Sequence, residues 1–197
     1  MGMEAILEVL GPDAFVLGCN SALWPTLGLV HGMRISADIL RNWPVVKQVT
    51  YECFHRQYQH GSFWLGDPDC LLLHGAELTE EKRFHLSCAL ASCGAQIISD
   101  PMPELTEGER IWMQQLLDNR LERCVFLDSD CTIARGVSCT GEEAYLFFNP
   151  TDEKTRPSQM VPAGVYTELW SGEKLEVSGD MTVTLAPHAA RVYLRKK

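Results

Sequence analysis

The chain has 197 residues, 46% of them apolar and 22% charged, and a formal net charge of -9. That length can bury a sizeable core as one domain or two small ones, and the composition is that of an ordinary soluble globular protein. The acidic balance, with no basic stripe to offset it, argues against a nucleic-acid partner, and no apolar run approaches the roughly eighteen residues that cross a bilayer.

The first residues, Met1-Gly-Met-Glu-Ala-Ile6, carry no charged n-region or apolar h-region, so no secretory signal is expected. Ile6 also stands where an N-myristoylation signal needs Ser or Thr. Glu4–Leu10 reads as the tail of a helix closed by Gly11, with Pro12 preventing its continuation. Ala14–Leu17 is a short apolar run of the kind a strand buried on both faces has. A loop containing Pro25 leads to a second strand, Met33–Asp38. Trp43-Pro44 introduces an amphipathic helix over Val45–Tyr58, and 63–69 reads as a loop. Cys70–Leu73 is the third strand, Thr79 caps a helix to about Ser92, and Gln96–Asp100 is the fourth strand. Thr106-Glu-Gly-Glu109 is a capping box opening a helix that ends near Asn119. Short apolar strands alternating with helices are the signature of parallel βα units, whose strand C-terminal ends carry function.

The pattern changes near residue 121. Segments 124–127, 144–148, 164–170, 175–177, 181–185 and 190–194 are short, β-branched and aromatic. Turn sequences such as Asn149-Pro150, Ser171-Gly172 and Ser178-Gly179 separate them. The expected fold is therefore α/β: four parallel βα units over 1–120, followed by a small antiparallel β-sandwich over 121–197.

Eight cysteines invite a disulfide or metal reading, but no Cys-x-x-Cys occurs and no histidine pair has finger spacing. Most sit in apolar runs, as buried thiols kept reduced in a cytoplasmic protein do. The spacings offer no metal site.

The most informative stretch is Met33-Arg-Ile-Ser-Ala-Asp38, which alternates strictly. As a strand it puts Arg34, Ser36 and Asp38 on one face and Met33, Ile35 and Ala37 on the other. A half-buried guanidinium beside a carboxylate is costly unless a site uses it, whereas on a helix the same spacing is an ordinary ion pair.

Three ordered pieces resemble the α-galactosidases of glycoside hydrolase family 36 and, more distantly, those of family 27. Leu17-Gly-Cys-Asn-Ser-Ala-Leu-Trp-Pro25 with Gly28–Asp38 is similar to the fifth and sixth strands of the family's (β/α)8 barrel. Phe63-Trp-Leu-Gly-Asp-Pro-Asp69 is similar to the Trp-Asn-Asp-Pro-Asp segment at the seventh, and Gly94–Asp100 to the eighth. Trp170–Glu173 and Pro187–Arg191 resemble the terminal sandwich. The chain departs from the pattern at Asn20 and Ala22 (Gly or Ser, and Pro, in the family), at His31 (Asp) and at Gly66 (Asn).

The resemblance implies the C-terminal half of such a barrel plus its sandwich. It makes Asp38 the general acid/base and Arg34 the arginine that binds the sugar 2-OH and holds neighbouring carboxylates. A retaining glycosidase needs a carboxyl that gives a proton to the leaving oxygen and later takes one from water. Because the family's chemistry uses carboxylates and water only, the resemblance implies neither a metal nor an organic cofactor. Gly18 and Cys19 fall at the sugar-facing end of the fifth strand, where small side chains allow close packing on galactose, although simple core packing explains them equally. Trp64 is a candidate sugar platform or a core tryptophan. Asp69, like Asp67, either contacts the sugar or caps amides in a proline turn.

The family nucleophile lies in a Lys-x-Asp strand end that this chain lacks: Lys47, Lys82, Lys154, Lys174, Lys196 and Lys197 provide none. The chain alone is therefore expected not to perform double displacement. The expected partners are galactose or an α-galactoside, and either a complementing N-terminal half or a second copy that closes the open barrel. A non-catalytic galactoside-binding or assembly module is the alternative.

Overall fold

The structure, a computed structural model, describes residues 2–75 and 78–195. Met1, Lys196 and Lys197, considered above, lie outside the described residues, as do residues 76 and 77. The first helix, α1 (Gly2–Leu10), ends as expected at Gly11, whose φ is 80° and whose amide donates to Leu7 O at 3.0 Å. It buries none of its residues.

The parallel strands are β1 (Leu17–Gly18), β2 (Gly32–Arg34), β3 (Leu65–Asp67), β4 (Cys70–Leu71) and β5 (Ile97–Ile98). β1, β2 and β3 pair in parallel in that order, and β4 pairs in parallel with β5. β3 and β4 follow one another across a break at Pro68-Asp69 and both face the segment around β5: Ala95 N, just before it, donates to Gly66 O at 2.8 Å, and Ser99 N, just after it, to Leu71 O at 3.4 Å. Pairing of this third strand thus begins inside the segment read as a loop. β2, in contrast, stops at Arg34 rather than running to Asp38, although Ile35 N still reaches Asp67 O at 2.9 Å. The β1–β2 crossover holds only a 3-10 turn over Trp24–Thr26.

α2 (Trp43–Arg56) is capped by Asn42, whose side chain accepts from Val45 N at 3.1 Å, and buries Val46, Val49, Thr50, Cys53 and Phe54. That is the i, i+3, i+4 stripe of a helix with one covered face. α3 (Thr79–Ser92) starts one residue earlier than expected, with Leu78 as its cap and no capping side chain. Its residues Phe84–Ser92 are all buried, because parallel strands lie on one side of it and the C-terminal sheet on the other. In α4 (Glu107–Asp118) the capping box forms as its sequence requires: Glu109 N donates to Thr106 Oγ1 at 3.2 Å and Thr106 N to Glu109 Oε2 at 2.8 Å.

The rest is a six-stranded antiparallel sheet in the order β11-β10-β13-β8-β7-β6. Its strands are β6 (Leu121–Phe126), β7 (Ile133–Ser138), β8 (Glu143–Asn149), β10 (Gly164–Glu168), β11 (Lys174–Val177) and β13 (Ala189–Arg195). A two-stranded ribbon of β9 (Ser158–Met160) and β12 (Asp180–Thr182) completes it. The pattern reading had no β7 or β9. The apolar pattern of β7 is interrupted by Arg135-Gly136, and Gly136 fits there because a Cβ would lie 2.6 Å from Leu121 Cδ1 and 3.0 Å from Arg123 O. β9 is three residues, Ser158-Gln-Met160, set between Pro157 and Val161-Pro162 and too short for an apolar run.

Alternation on β8 serves both faces. Tyr145 and Phe147 pack with Tyr166, Met181 and Leu185 under the ribbon, while Leu146 and Phe148 join the core of α2 and α3. That core is continuous from Ile35 through Phe54 and Phe84 to Val192. Polar ties reinforce it. Trp170 Nε1 donates to Ser87 Oγ at 2.9 Å, and Arg191 forms a two-point pair with Glu80 at 2.6 and 3.2 Å. His188 stacks on Trp43 with ring centroids 4.0 Å apart.

Candidate active site at the strand ends

Register places Arg34, the last residue of β2, beside Asp67, the last of β3. The guanidinium therefore meets carboxylates on neighbouring strand ends. Arg34 Nε donates to Asp67 Oδ2 at 3.0 Å, its Nη2 lies 3.0 Å from Asp69 Oδ1, and its Nη1 lies 3.3 Å from Asp38 Oδ1. Burial would lower the pKa of Arg34. The hydrogen bond to Asp67 and the charges of Asp67, Asp69 and the nearby Cys19 outweigh it, and the pKa is raised above its ordinary value.

The three carboxylates differ in what remains free. Asp67 is fully buried, and its Oδ1 accepts the Asp69 amide at 2.9 Å. Asp69 accepts from Cys70 N and Ile39 N, both at 2.7 Å. It also sits at φ +75°, a conformation that Asp tolerates better than most residues. Both are held by backbone amides and by Arg34. Asp38 is 84% exposed and touches only Arg34 among these groups, so it is the carboxyl open to a ligand.

The other expected site residues lie as follows. Cys19 is exposed, within electrostatic reach of Arg34. Gly18 is buried, and a Cβ there would meet Met33 Cε at 2.7 Å, so its smallness accommodates Met33. Trp64 is only 4% exposed and packs with Val30 and Met33, its Nε1 having no partner. Cys53 lies behind the cluster, its thiol 4.0 Å from Pro68 O; burial pushes its pKa up to about 12, so it is a neutral filler.

The sequence reading passed over Asp100 and Arg41. Asp100 accepts from Leu73 N at 2.6 Å, His74 N at 3.1 Å and Arg41 Nη2 at 3.0 Å, which ties the β2, β4 and β5 ends together. The available signal was a strand-end aspartate in Ile98-Ser-Asp100 like those in the two preceding motifs. Among the described residues no group of three His, Cys, Asp or Glu is arranged to hold a metal ion, and no helix is long and apolar enough to cross a membrane.

Chemically, the cluster combines a fixed cation, two immobilised carboxylates and one accessible carboxyl. Such a set suits a neutral polyhydroxyl ligand, whose hydroxyls both donate and accept, together with proton transfer at Asp38.

No protein-family model matches the chain. Solved structures of glycosidases share its fold. The GH27 β-L-arabinopyranosidase of Geobacillus stearothermophilus superposes with a TM-score of 0.79 at 15% identity, over 98% of this chain and 52% of that one. The α-galactosidase of Saccharomyces cerevisiae, solved with raffinose, gives 0.70 at 12% identity over 99% of this chain and 66% of that one. α-Galactosidase I of Mortierella vinacea gives 0.69 at 13% identity over 87% and 54%. The chain thus shares its fold with part of these glycoside hydrolases, and it spans about half the length of the first of these structures.

Proposed function

We propose that the chain is the C-terminal portion of an α-galactosidase-type glycoside hydrolase, nearest to family 36, with galactose or an α-galactoside as its ligand. Residues 1–120 would then be half of a (β/α)8 barrel carrying part of the active site, and residues 121–197 a terminal β-sandwich. The observation that carries this reading is the engagement of one guanidinium by the carboxylates of Asp38, Asp67 and Asp69, of which only Asp38 stays open. In this reading Asp38 protonates the glycosidic oxygen and later deprotonates water. Arg34 binds the sugar 2-OH, Cys19 and Gly18 border the sugar, and Asp69 orders the site. Trp64, enclosed by Met33 and Val30, shapes the site from behind.

A second carboxylate must supply the nucleophile, and neither Asp67 nor Asp69 is free to do so. We therefore infer that a complementing half or a second copy completes the barrel. The face that carries Arg34 supports this. Leu17, Gly32 and Leu65 lie in register there, and Leu17, Leu65 and Phe15 remain exposed. The eight unpaired cysteines fit a reducing cytoplasm.

Hydrolysis of an aryl α-galactoside tests the account: the pure chain should give no turnover, and measurable turnover overturns the missing-nucleophile reading. In an assembled form that does turn over, Asp38→Asn should cost about 10²–10⁴-fold with a substrate whose leaving group needs protonation. Light scattering tests the partner, since a stable monodisperse monomer contradicts both modes of closure.

A further inference from the structure

Asp38 is exposed, and among the described residues its one ion-pair contact, to Arg34, is 3.3 Å long. It also stands beyond the last paired residue of β2, so the sheet does not hold it. Its direction must come from the backbone around it, and that backbone is gripped from α2. Ala37 N donates to Glu52 Oε2 at 2.6 Å, and Gln48 Nε2 donates to the other oxygen, Oε1, at 3.0 Å. Arg56 Nη1 donates to Ile35 O. On the far side of Asp38, Ile39 N is held by Asp69 at 2.7 Å.

Gln48, Glu52 and Arg56 are spaced four apart and share one face of the helix. This is not the face that packs the core, which runs through Val46, Val49, Thr50 and Cys53. The helix thus already has its apolar anchorage. Its second, polar stripe makes contacts directed at a single segment, Ile35–Ala37, immediately before Asp38.

We propose that Glu52 is a positioning residue for Asp38, with Gln48 and Arg56 completing the grip. Glu52 does not meet substrate. It fixes the peptide on which the acid stands, using a charge-assisted bond to an amide that has no ladder partner. The proposal rests on the reading of Asp38 as the acid, but it makes a claim about geometry that is testable without any sugar.

The test is solution NMR on the full chain. Three-bond couplings should show one χ1 rotamer for Asp38 in the wild type, and rotamer averaging in Glu52→Ala. Exchange of the Ala37 amide should be about tenfold or more faster in that variant, reflecting loss of a hydrogen bond to a charged group. Glu52→Gln keeps an acceptor oxygen and should restore the single rotamer. Gln48→Ala alters only an exposed side chain and should give a smaller change of the same kind, so the proposal stays testable if Glu52→Ala does not fold. Averaged couplings in the wild type overturn the proposal. So does a variant that lowers the melting temperature while Asp38 keeps one rotamer, because that is a structural role alone. Failure of the galactoside reading would show instead as absence of sugar-induced shifts, with these couplings unaffected.

Discussion

The antiparallel sheet and the parallel strands of this chain are covered to different extents. The six-stranded sheet has α2 and α3 on one face and the β9/β12 ribbon on the other, so Leu146 and Phe147, neighbours on β8, are both fully buried on opposite sides. The parallel strands have helices on one face only. Across the other, Phe15 and Leu17 lie over Gly32, and Leu65 stays partly exposed. α1 likewise leaves Ile6, Val9 and Leu10 open. The charged cluster stands at the end of this uncovered face. The covered region supplies stability, and the open one carries the Arg34 cluster, which the proposed function makes the site that a partner completes.

Truncations of equal kind separate the two most widely. Phe147→Ala should destabilise by about 3–5 kcal/mol, because it empties a fully enclosed site. Leu17→Ala, on the open face, should cost under about 1 kcal/mol. Denaturant melts compare them, and similar losses would mean that the parallel face is covered after all.

Next in size is Asp67→Ala. It removes a buried partner of Arg34 and the acceptor of the Asp69 amide, at a cost of about 2–3 kcal/mol, reduced because Arg34 is partly open to solvent. A loss below about 0.5 kcal/mol would mean that the cluster is not preorganised.

The pH response sharpens the comparison further. Burial holds His85 of α3, which lies between the two regions, below its ordinary pKa of 6.5, so the folded state favours the neutral ring. Its contribution is complete above about pH 6.5. It is lost as pH falls below that, by about 1.4 kcal/mol per pH unit until the folded pKa is reached. Glu109 acts in a lower window. Burial would raise its pKa, but Lys82 and the Thr106 cap outweigh burial and lower it, so stability present above about pH 4.5 is lost on further acidification. Urea midpoints of wild type and His85→Gln between pH 5 and 7 check the first effect, which disappears in the variant. Thr106→Ala removes one side of the capping box from α4 for about 1 kcal/mol, read as a shift in melting temperature.

What the sequence made legible follows the same division. Gly11, the Thr106–Glu109 box and the turns at Asn149-Pro150 and Ser171-Gly172 act through neighbours a few residues away, so local patterns located them. Alternation in Met33–Asp38 overran the strand: Arg34 and Asp38 do meet, but beyond the end of β2, and the Ser36 hydroxyl is buried rather than beside them. β2 ends where Glu52 and Asp69 take the amides of Ala37 and Ile39, and those partners are 15 and 30 residues distant in sequence. β7 was hidden because Gly136 is justified only by the adjacent strand, through Leu121 and the backbone oxygen of Arg123. The enclosure of Trp64 by Val30 and Met33 is non-local in the same way.

One titration bears most directly on the carbohydrate assignment. Galactose added to the ¹⁵N-labelled chain should shift the Arg34 Nε–H signal and the amides of Cys19, Asp38 and Ile39, and leave those of the antiparallel sheet unmoved. Unchanged spectra at these positions with galactose up to about 0.1 M, or shifts centred on β6–β13, would contradict it.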